Sequence, residues 1–300
     1  MQVAYWLTPK KDKPLPVAIY DQNLPHLRIS YCTTCMGRLH HLKKTYLKNI
    51  EDNLAYENIE FVLVNYNSKD HLDKWARKYL RKYISSGKVQ YYHTTDPENF
   101  HMSKAKNLSH RLASGDILVN LDADNYLGKD NAFYLNYLYQ QSGNSNKVIS
   151  FTKSDFRFYD TCGRIAVKAN SFYRVRGYRE DLLPYGGEDF DFIHRLSLIE
   201  NYLLRVEYVN FLRTVKHDTV SRGSNLGSSM SVKEMRQKNQ EMAVNLPQGI
   251  EANPRGFEKY KVVKNFKEII LLDSGYSPTN PLKEHMEVPV ESLIPDLIKP

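Results

Sequence analysis

Ile117-Leu118-Val119-Asn120-Leu121-Asp122-Ala123-Asp124-Asn125 reads as a strand that ends in two carboxylates. The apolar run alternates too little for a half-exposed strand, so it is expected as a buried central strand of a parallel or mixed sheet. Upstream, Ser103 stands where it would cap a helix whose apolar side is Ala105, Leu108 and Leu112, and Gly115 would end it. Open α/β sheets bind ligands at the carboxyl ends of their strands, which is where Asp122 and Asp124 emerge. Alternation turns both acids to one side, with small Ala123 opposite. Two carboxylates facing one volume repel, and a divalent cation shared with phosphate oxygens neutralises them. The spacing alone also occurs in loops whose acids do no more than start the next helix; the position at the end of a buried strand favours the metal.

Outward from this stretch, strand and helix alternate. Leu27 to Cys32 is expected as a first strand, with Thr33-Thr34 as a turn, followed by a helix through Leu39, Leu42, Tyr46, Leu47 and Ile50. Glu60 to Asn65 reads as a second buried strand, His71 to Ile84 as a second helix, and Lys88 to Tyr92 as a third strand. A helix around Ala132 to Gln141 and a strand at Lys147 to Thr152 follow Asp124. The order implies an α/β, doubly wound, mainly parallel sheet with helices on both faces. Residues 1–26 read as an N-terminal extension with a short strand at Val17 to Tyr20, residues 27–225 as the main domain, and residues 226–300 as a C-terminal extension holding a polar helix (Val232 to Ala243) and a strand-like Ile269 to Leu272.

Composition bounds the function. A chain of 300 residues with 41% apolar content can bury a large core. No apolar run approaches the roughly 20 residues of a membrane span, and the lysines and prolines of the first twenty residues do not suit a signal peptide, so a cytoplasmic address is expected. Three cysteines are no disulfide framework, and Cys32-Thr33-Thr34-Cys35, with no second pair, reads as neither redox centre nor zinc site. The net charge is +8, and because residues 226–300 carry ten residues of each sign, the whole excess lies in the part that holds the aspartates. That suits an anionic ligand such as a nucleotide diphosphate. Lys74, Arg77, Lys78, Arg81 and Lys82 form a basic helical side, read as a solvated face and not as a nucleic-acid surface. Contact with an anionic membrane surface and self-association stay open.

The second informative stretch runs from Arg164 to Phe192. Gly186-Gly187 breaks the chain, and Phe190, Ile193, Leu196 and Leu198 are expected on a helix with Glu188 and Asp189 in its first turn. The helix dipole stabilises acids there without any function. The same dipole keeps a carboxylate ionised, and acids behind a flexible Gly-Gly, with Asp191 as a third, make a good mobile general base. Val209 to Val215 is expected as one more strand, delivering His217-Asp218 to a loop, and Ser221 to Ser231 as a flexible segment.

Taken together, these residues resemble the GT-A-fold nucleotide-sugar glycosyltransferases over about residues 27–220. The first half looks like family 2, and Gly163 to His217 looks like the C-terminal region of the β-1,4-galactosyltransferase family. The matching pieces are Ile29 to Thr34, Val64 to Ser68, Lys104-Ala105-Lys106-Asn107-Leu108, Leu121 to Asp124, Gly177-Tyr178 and Gly186 to Asp191. The resemblance implies that Thr33, Arg38 and Asn65 line the base and ribose pocket, that Lys106 approaches the diphosphate, that Asp122 reaches toward ribose and metal, and that Asp124 and His217 bind Mn2+ or Mg2+. It implies Asp189 as catalytic base, with Glu188, Tyr185 and Gly187 at the acceptor. Tyr185 stands where the family often has Trp, and Asn65 where it often has Asp. The activity implied is inverting, metal-dependent transfer of a hexose or N-acetylhexosamine from a UDP-sugar to a glycan, glycolipid or glycoprotein. A retaining GT-A enzyme is the nearest rival, a nucleotidyltransferase the next; the latter does not require the Gly-Gly-Glu-Asp segment.

Overall fold

The computed structural model describes residues 14–141, 147–151, 161–200, 202–206, 208–216, 223, 225–244 and 249–276. Its strands are β1 (Ile29–Cys35), β2 (Ile59–Tyr66), β3 (Val89–Thr94), β4 (Ile117–Asn120), β5 (Lys147–Ser150), β6 (Ile165–Lys168), β7 (Tyr202–Arg205), β8 (Tyr260–Lys264) and β9 (Glu268–Leu272). They form one sheet in the order β7-β5-β6-β4-β1-β2-β3-β8-β9. The middle four are parallel, with Ile29 level with Ile59 and Ile117. Antiparallel β6 follows on one side and antiparallel β8 on the other.

Period-two alternation splits these strands between two cores. On β2, Phe61 and Leu63 join α1 (Leu39–Glu51), α2 (Leu72–Tyr79) and α5 (Asn131–Gln140), with Leu42, Tyr46, Trp75 and Leu135 in one cluster. Val62 and Val64 point the other way, onto Ala105 and Leu108 of α4 (Met102–Arg111). Farther along that face, Leu118 and Val167 meet Phe172 of α6 (Ala169–Arg174) and Phe192 and Leu196 of α7 (Glu188–Ser197). Both faces are covered, which explains why all eight residues of β2 are buried and why its middle, Phe61 to Val64, reads as continuously apolar.

Several local expectations are corrected. Thr33-Thr34 is not a turn but the continuation of β1, which pairs with β2 as far as Cys35 and Asn65. The segment from His71 to Ile84 is two helices, α2 and then α3 (Arg81–Ser85), meeting at Leu80. The cap of α4 is His101, whose ring accepts from the Lys104 N–H at 3.5 Å, and not Ser103. Val17–Tyr20 is a 3₁₀ turn, not a strand, and it docks Ile19 into the core. Val209 to Val215 is no strand either: a 3₁₀ turn at Val209–Phe211 leads to one bridge between Thr214 and Asn125. The buried side of α7 is Asp191, Phe192, Arg195 and Leu196, while Phe190 and Leu198 are 54% and 59% exposed. The cause is an Asp191–Arg195 ion pair of 2.6 Å whose guanidinium also donates to the carbonyls of Val175 and Gly177, fixing the rotation of the helix.

The sheet continues past residue 226, where the composition changes: β8 pairs with β3 and carries β9 at the edge. The polar helix expected there is α8 (Val232–Val244). Among the described residues no helix is long and apolar enough to cross a membrane.

Candidate active site

A cleft of about 700 Å³ opens at the carboxyl ends of β1 and β4. One wall is the end of β4, where Asp122, Ala123 and Asp124 all reach the cleft. Hydrogen bonds from the sheet fix the two acids. Asn120 donates to Asp122 Oδ1 at 3.1 Å and to the Gly163 carbonyl at 2.9 Å. Asn125, fully buried, donates to Asp124 Oδ1 at 2.8 Å. Its own side-chain oxygen accepts from Arg164 at 2.8 Å, and since a guanidinium only donates, this sets which end of the Asn125 amide faces Asp124. Arg164 is completely buried and also donates to the carbonyls of Tyr126 and Phe211. Burial pulls its guanidinium down to about 10, so it stays charged behind the acid pair at neutral pH.

Burial first, and then repulsion from Asp124, raises the Asp122 carboxyl above its usual range against the pull of Lys106. That is the electrostatic signature of a place for positive charge, and two carboxylates suit a hard divalent cation that completes its shell with phosphate oxygens. Among the described residues no three His, Cys, Asp or Glu side chains are grouped to hold a metal unaided. His217 lies outside the described residues. The backbone leading to it is anchored at the site, since the Val215 N–H donates to the Asp124 carbonyl at 2.8 Å.

The facing wall is the start of α7. Lys106, buried on α4, donates to Glu188 Oε1 at 2.8 Å and to Asp189 Oδ1 at 2.6 Å. Expected at a diphosphate, it lines the cleft with its ammonium on the two acids. Burial opposes the charge of Lys106, yet Asp189 and Glu188 outweigh it and hold the ammonium well above its ordinary range. Burial likewise opposes ionisation of Glu188, but the ion pair with Lys106 overcomes it, and Glu188 is lowered. Asp189 is pushed up to about 7, first by burial and then by Glu188 and Asp122, with Lys106 working the other way. One acid is thus held ionised and its neighbour poised near neutrality.

Gly163, which the sequence did not single out, separates the two walls. A Cβ at this position would lie 2.9 Å from Asp189 Oδ2 and 3.1 Å from Asp122 Oδ2, so the hydrogen leaves the space between the two carboxylates open. Of the other expected residues, Arg38, Tyr185 and Gly187 line the cleft. Thr33 and Asn65 do not. Thr33 is buried and Thr34, one residue on, faces the cleft in its place. Asn65 is buried too: its amide donates to Asp73 at 3.0 Å and its oxygen accepts from the Ser68 N–H at 2.8 Å. Arg236 and Gln240 of α8 also border the cleft, and no pattern in the sequence marked them.

Residues 30–181 match the sequence profile of glycosyl transferase family 2, and the chain belongs to that family of transferase enzymes. A comparison with curated proteins found no match. Among solved structures, a mannosyltransferase of Pyrobaculum calidifontis in complex with GDP-Man and Mn2+ aligns at a TM-score of 0.53 and 16% identity, covering 73% of this chain and 70% of its own. TarS of S. aureus (residues 1–349) with UDP-GlcNAc aligns at 0.55 and 12% identity, over 75% and 68%. Glucosyl-3-phosphoglycerate synthase of Mycobacterium tuberculosis, in complex with Mn2+, UDP and glucosyl-3-phosphoglycerate, aligns at 0.52 and 11%, over 85% and 93%. These likenesses establish the GT-A fold. The family match ends before Glu188 and Asp189.

Proposed function

We propose that this transferase moves a hexose or N-acetylhexosamine from a UDP-sugar to a hydroxyl of a glycan, glycolipid or glycoprotein, inverting the anomeric centre. The observation that carries the reading is the open gap at Gly163, with Asp122 on one side and, on the other, an Asp189 carboxyl pushed up to about 7 by burial. A group reacting there has a diphosphate-side acid pair behind it and a base before it. Lys106 occupies Asp189 Oδ1, and Oδ2 faces the gap. The acceptor oxygen forms its bond to the anomeric carbon as the bond to the diphosphate breaks, and its proton passes to Asp189 Oδ2. Glu188, kept ionised by Lys106, stays available to a second acceptor hydroxyl, with Tyr185 and Gly187 beside it. Asp124, Asp122 and His217 would hold Mn2+ or Mg2+ with the donor's phosphates. Such an ion neutralises the charge of the departing diphosphate. Residues 226–276 contribute to acceptor recognition through Arg236 and Gln240.

Calorimetry of UDP with and without Mn2+ tests the donor half of the reading. Binding is expected to require the ion, and to weaken in His217→Ala with Mn2+ present; undiminished binding of the wild type in chelator would sink the metal role. NMR of the first-formed anomer separates inversion from retention.

A further inference from the structure

Asn239 has no place in the reading so far, yet it is fully buried in a helix where, among the described side chains, only Met235 is buried as deeply. Its side chain is spent on one loop. Asn239 Oδ1 accepts from the Leu183 N–H at 2.7 Å, while Nδ2 donates to the carbonyls of Gly186 at 2.6 Å, Leu183 at 3.0 Å and Tyr185 at 3.2 Å. Four backbone groups of residues 183–186 are engaged by one amide, its two N–H hydrogens shared among three carbonyls. An apolar side chain could dock α8 equally well, but it would leave those half-buried groups without this partner.

The backbone that Asn239 holds is one that only glycine adopts readily. Gly186 and Gly187 have φ of +84° and +86°, and a Cβ on Gly187 would lie 3.0 Å from Asn239 Cβ. The same loop is tied on its far side to the start of α4, where the His101 ring meets the Leu182 carbonyl at 3.0 Å and the Met102 N–H donates to Pro184 at 2.9 Å. Gly187 then opens α7, accepting from the Asp191 N–H at 3.1 Å, and Asp189 sits within that first turn. The loop is therefore strapped between α4 and α8, and the strap ends three residues before the proposed base. A glycine pair that carries no Cβ contacts cannot hold its own shape, and the amide supplies what it lacks.

We propose that Asn239 is a positioning residue: through its four hydrogen bonds to residues 183–186, α8 fixes where Asp189 Oδ2 stands relative to the Gly163 gap. The inference rests on the reading of Asp189 as base. It assigns a role in the chemistry to a helix outside the matched family region, which ends at residue 181.

The test compares Asn239→Ala, Asp189→Asn and the double variant. A panel of UDP-glucose, UDP-galactose, UDP-GlcNAc and UDP-GalNAc with Mn2+ identifies the donor that the wild type hydrolyses fastest, with water as acceptor. Turnover is then counted per UDP-binding site, so that loss of folded protein does not register as loss of rate. Misplacement of a reacting group by about 1 Å costs on the order of 100-fold, so Asn239→Ala is expected to lose about 10- to 100-fold in kcat with the UDP dissociation constant unchanged. In the Asp189→Asn background the same substitution should cost nothing further, because the group it positions is gone. Wild-type turnover in Asn239→Ala overturns the inference, and so does an equal, additive loss in both backgrounds. Wild-type turnover in Asp189→Asn instead overturns the reading of the base, a different result from either. Should Asn239→Ala fail to fold, Asn239→Ser, which keeps a hydroxyl for one carbonyl, is judged by the same two criteria.

Discussion

The wall that carries Asp122 and Asp124 grows out of the sheet, whereas the wall that carries Glu188 and Asp189 is a loop and helix start held in place from outside. On the first wall the strand itself delivers the acids, and the groups that aim them, Asn120 and Asn125, are one or two residues away in sequence. On the second, the supports come from distant chain segments: Lys106 from α4 and Asn239 from α8. The difference matches the tasks proposed for them. A site for a cation and diphosphate wants fixed oxygens, while a base that must meet different hydroxyls gains from a loop whose position can be set separately.

Two substitutions break or sharpen this contrast, the larger effect first. Arg164→Met would leave the Tyr126 and Phe211 carbonyls and the Asn125 oxygen without their donor inside the first wall. With about 1–3 kcal/mol for each buried group left unpaired, a loss of about 3 kcal/mol or more is expected in a urea melt. A loss below about 1 kcal/mol would mean that this wall does not depend on its buried cation. Gly163→Ala would press its methyl against Asp189 and Asp122, forcing a carboxylate to shift, and would fill the gap between the walls, lowering turnover by about 10- to 100-fold. Unaltered turnover would show that the gap is not where the reacting atoms sit.

The same contrast explains what could be read from the sequence. The first wall was legible because burial on both faces leaves a continuous apolar run, and Asp122 and Asp124 follow it directly. The acids at Glu188 and Asp189 were legible through Gly186-Gly187, but the residues that place them were not. Asn239 lies in a polar helix, where one more asparagine stands out in no pattern. Gly163 reads as an ordinary loop glycine, and only the two carboxylates around it give it meaning. Thr33 and Thr34 show the sharpest limit: in a strand of period two, a shift of one residue decides which side chain faces the cleft. The rotation of α7 was misread because Asp191 and Arg195, both charged, are buried as a pair while Phe190 is exposed.

The central claim is that Asp189 is the base, and the pH dependence of turnover in the wild type and Asp189→Asn tests it most directly. A base acts only when deprotonated, and Asp189 is raised to about 7. Wild-type turnover should therefore climb with pH, pass half its maximum near 7 and level off above. Asp189→Asn keeps nearly the same shape and should bind UDP as before, but run about 10²- to 10⁴-fold slower with that rise abolished. If the variant kept the wild-type rate, or kept the same rise near neutrality, the proton would be going elsewhere and the assignment of Asp189 would be wrong.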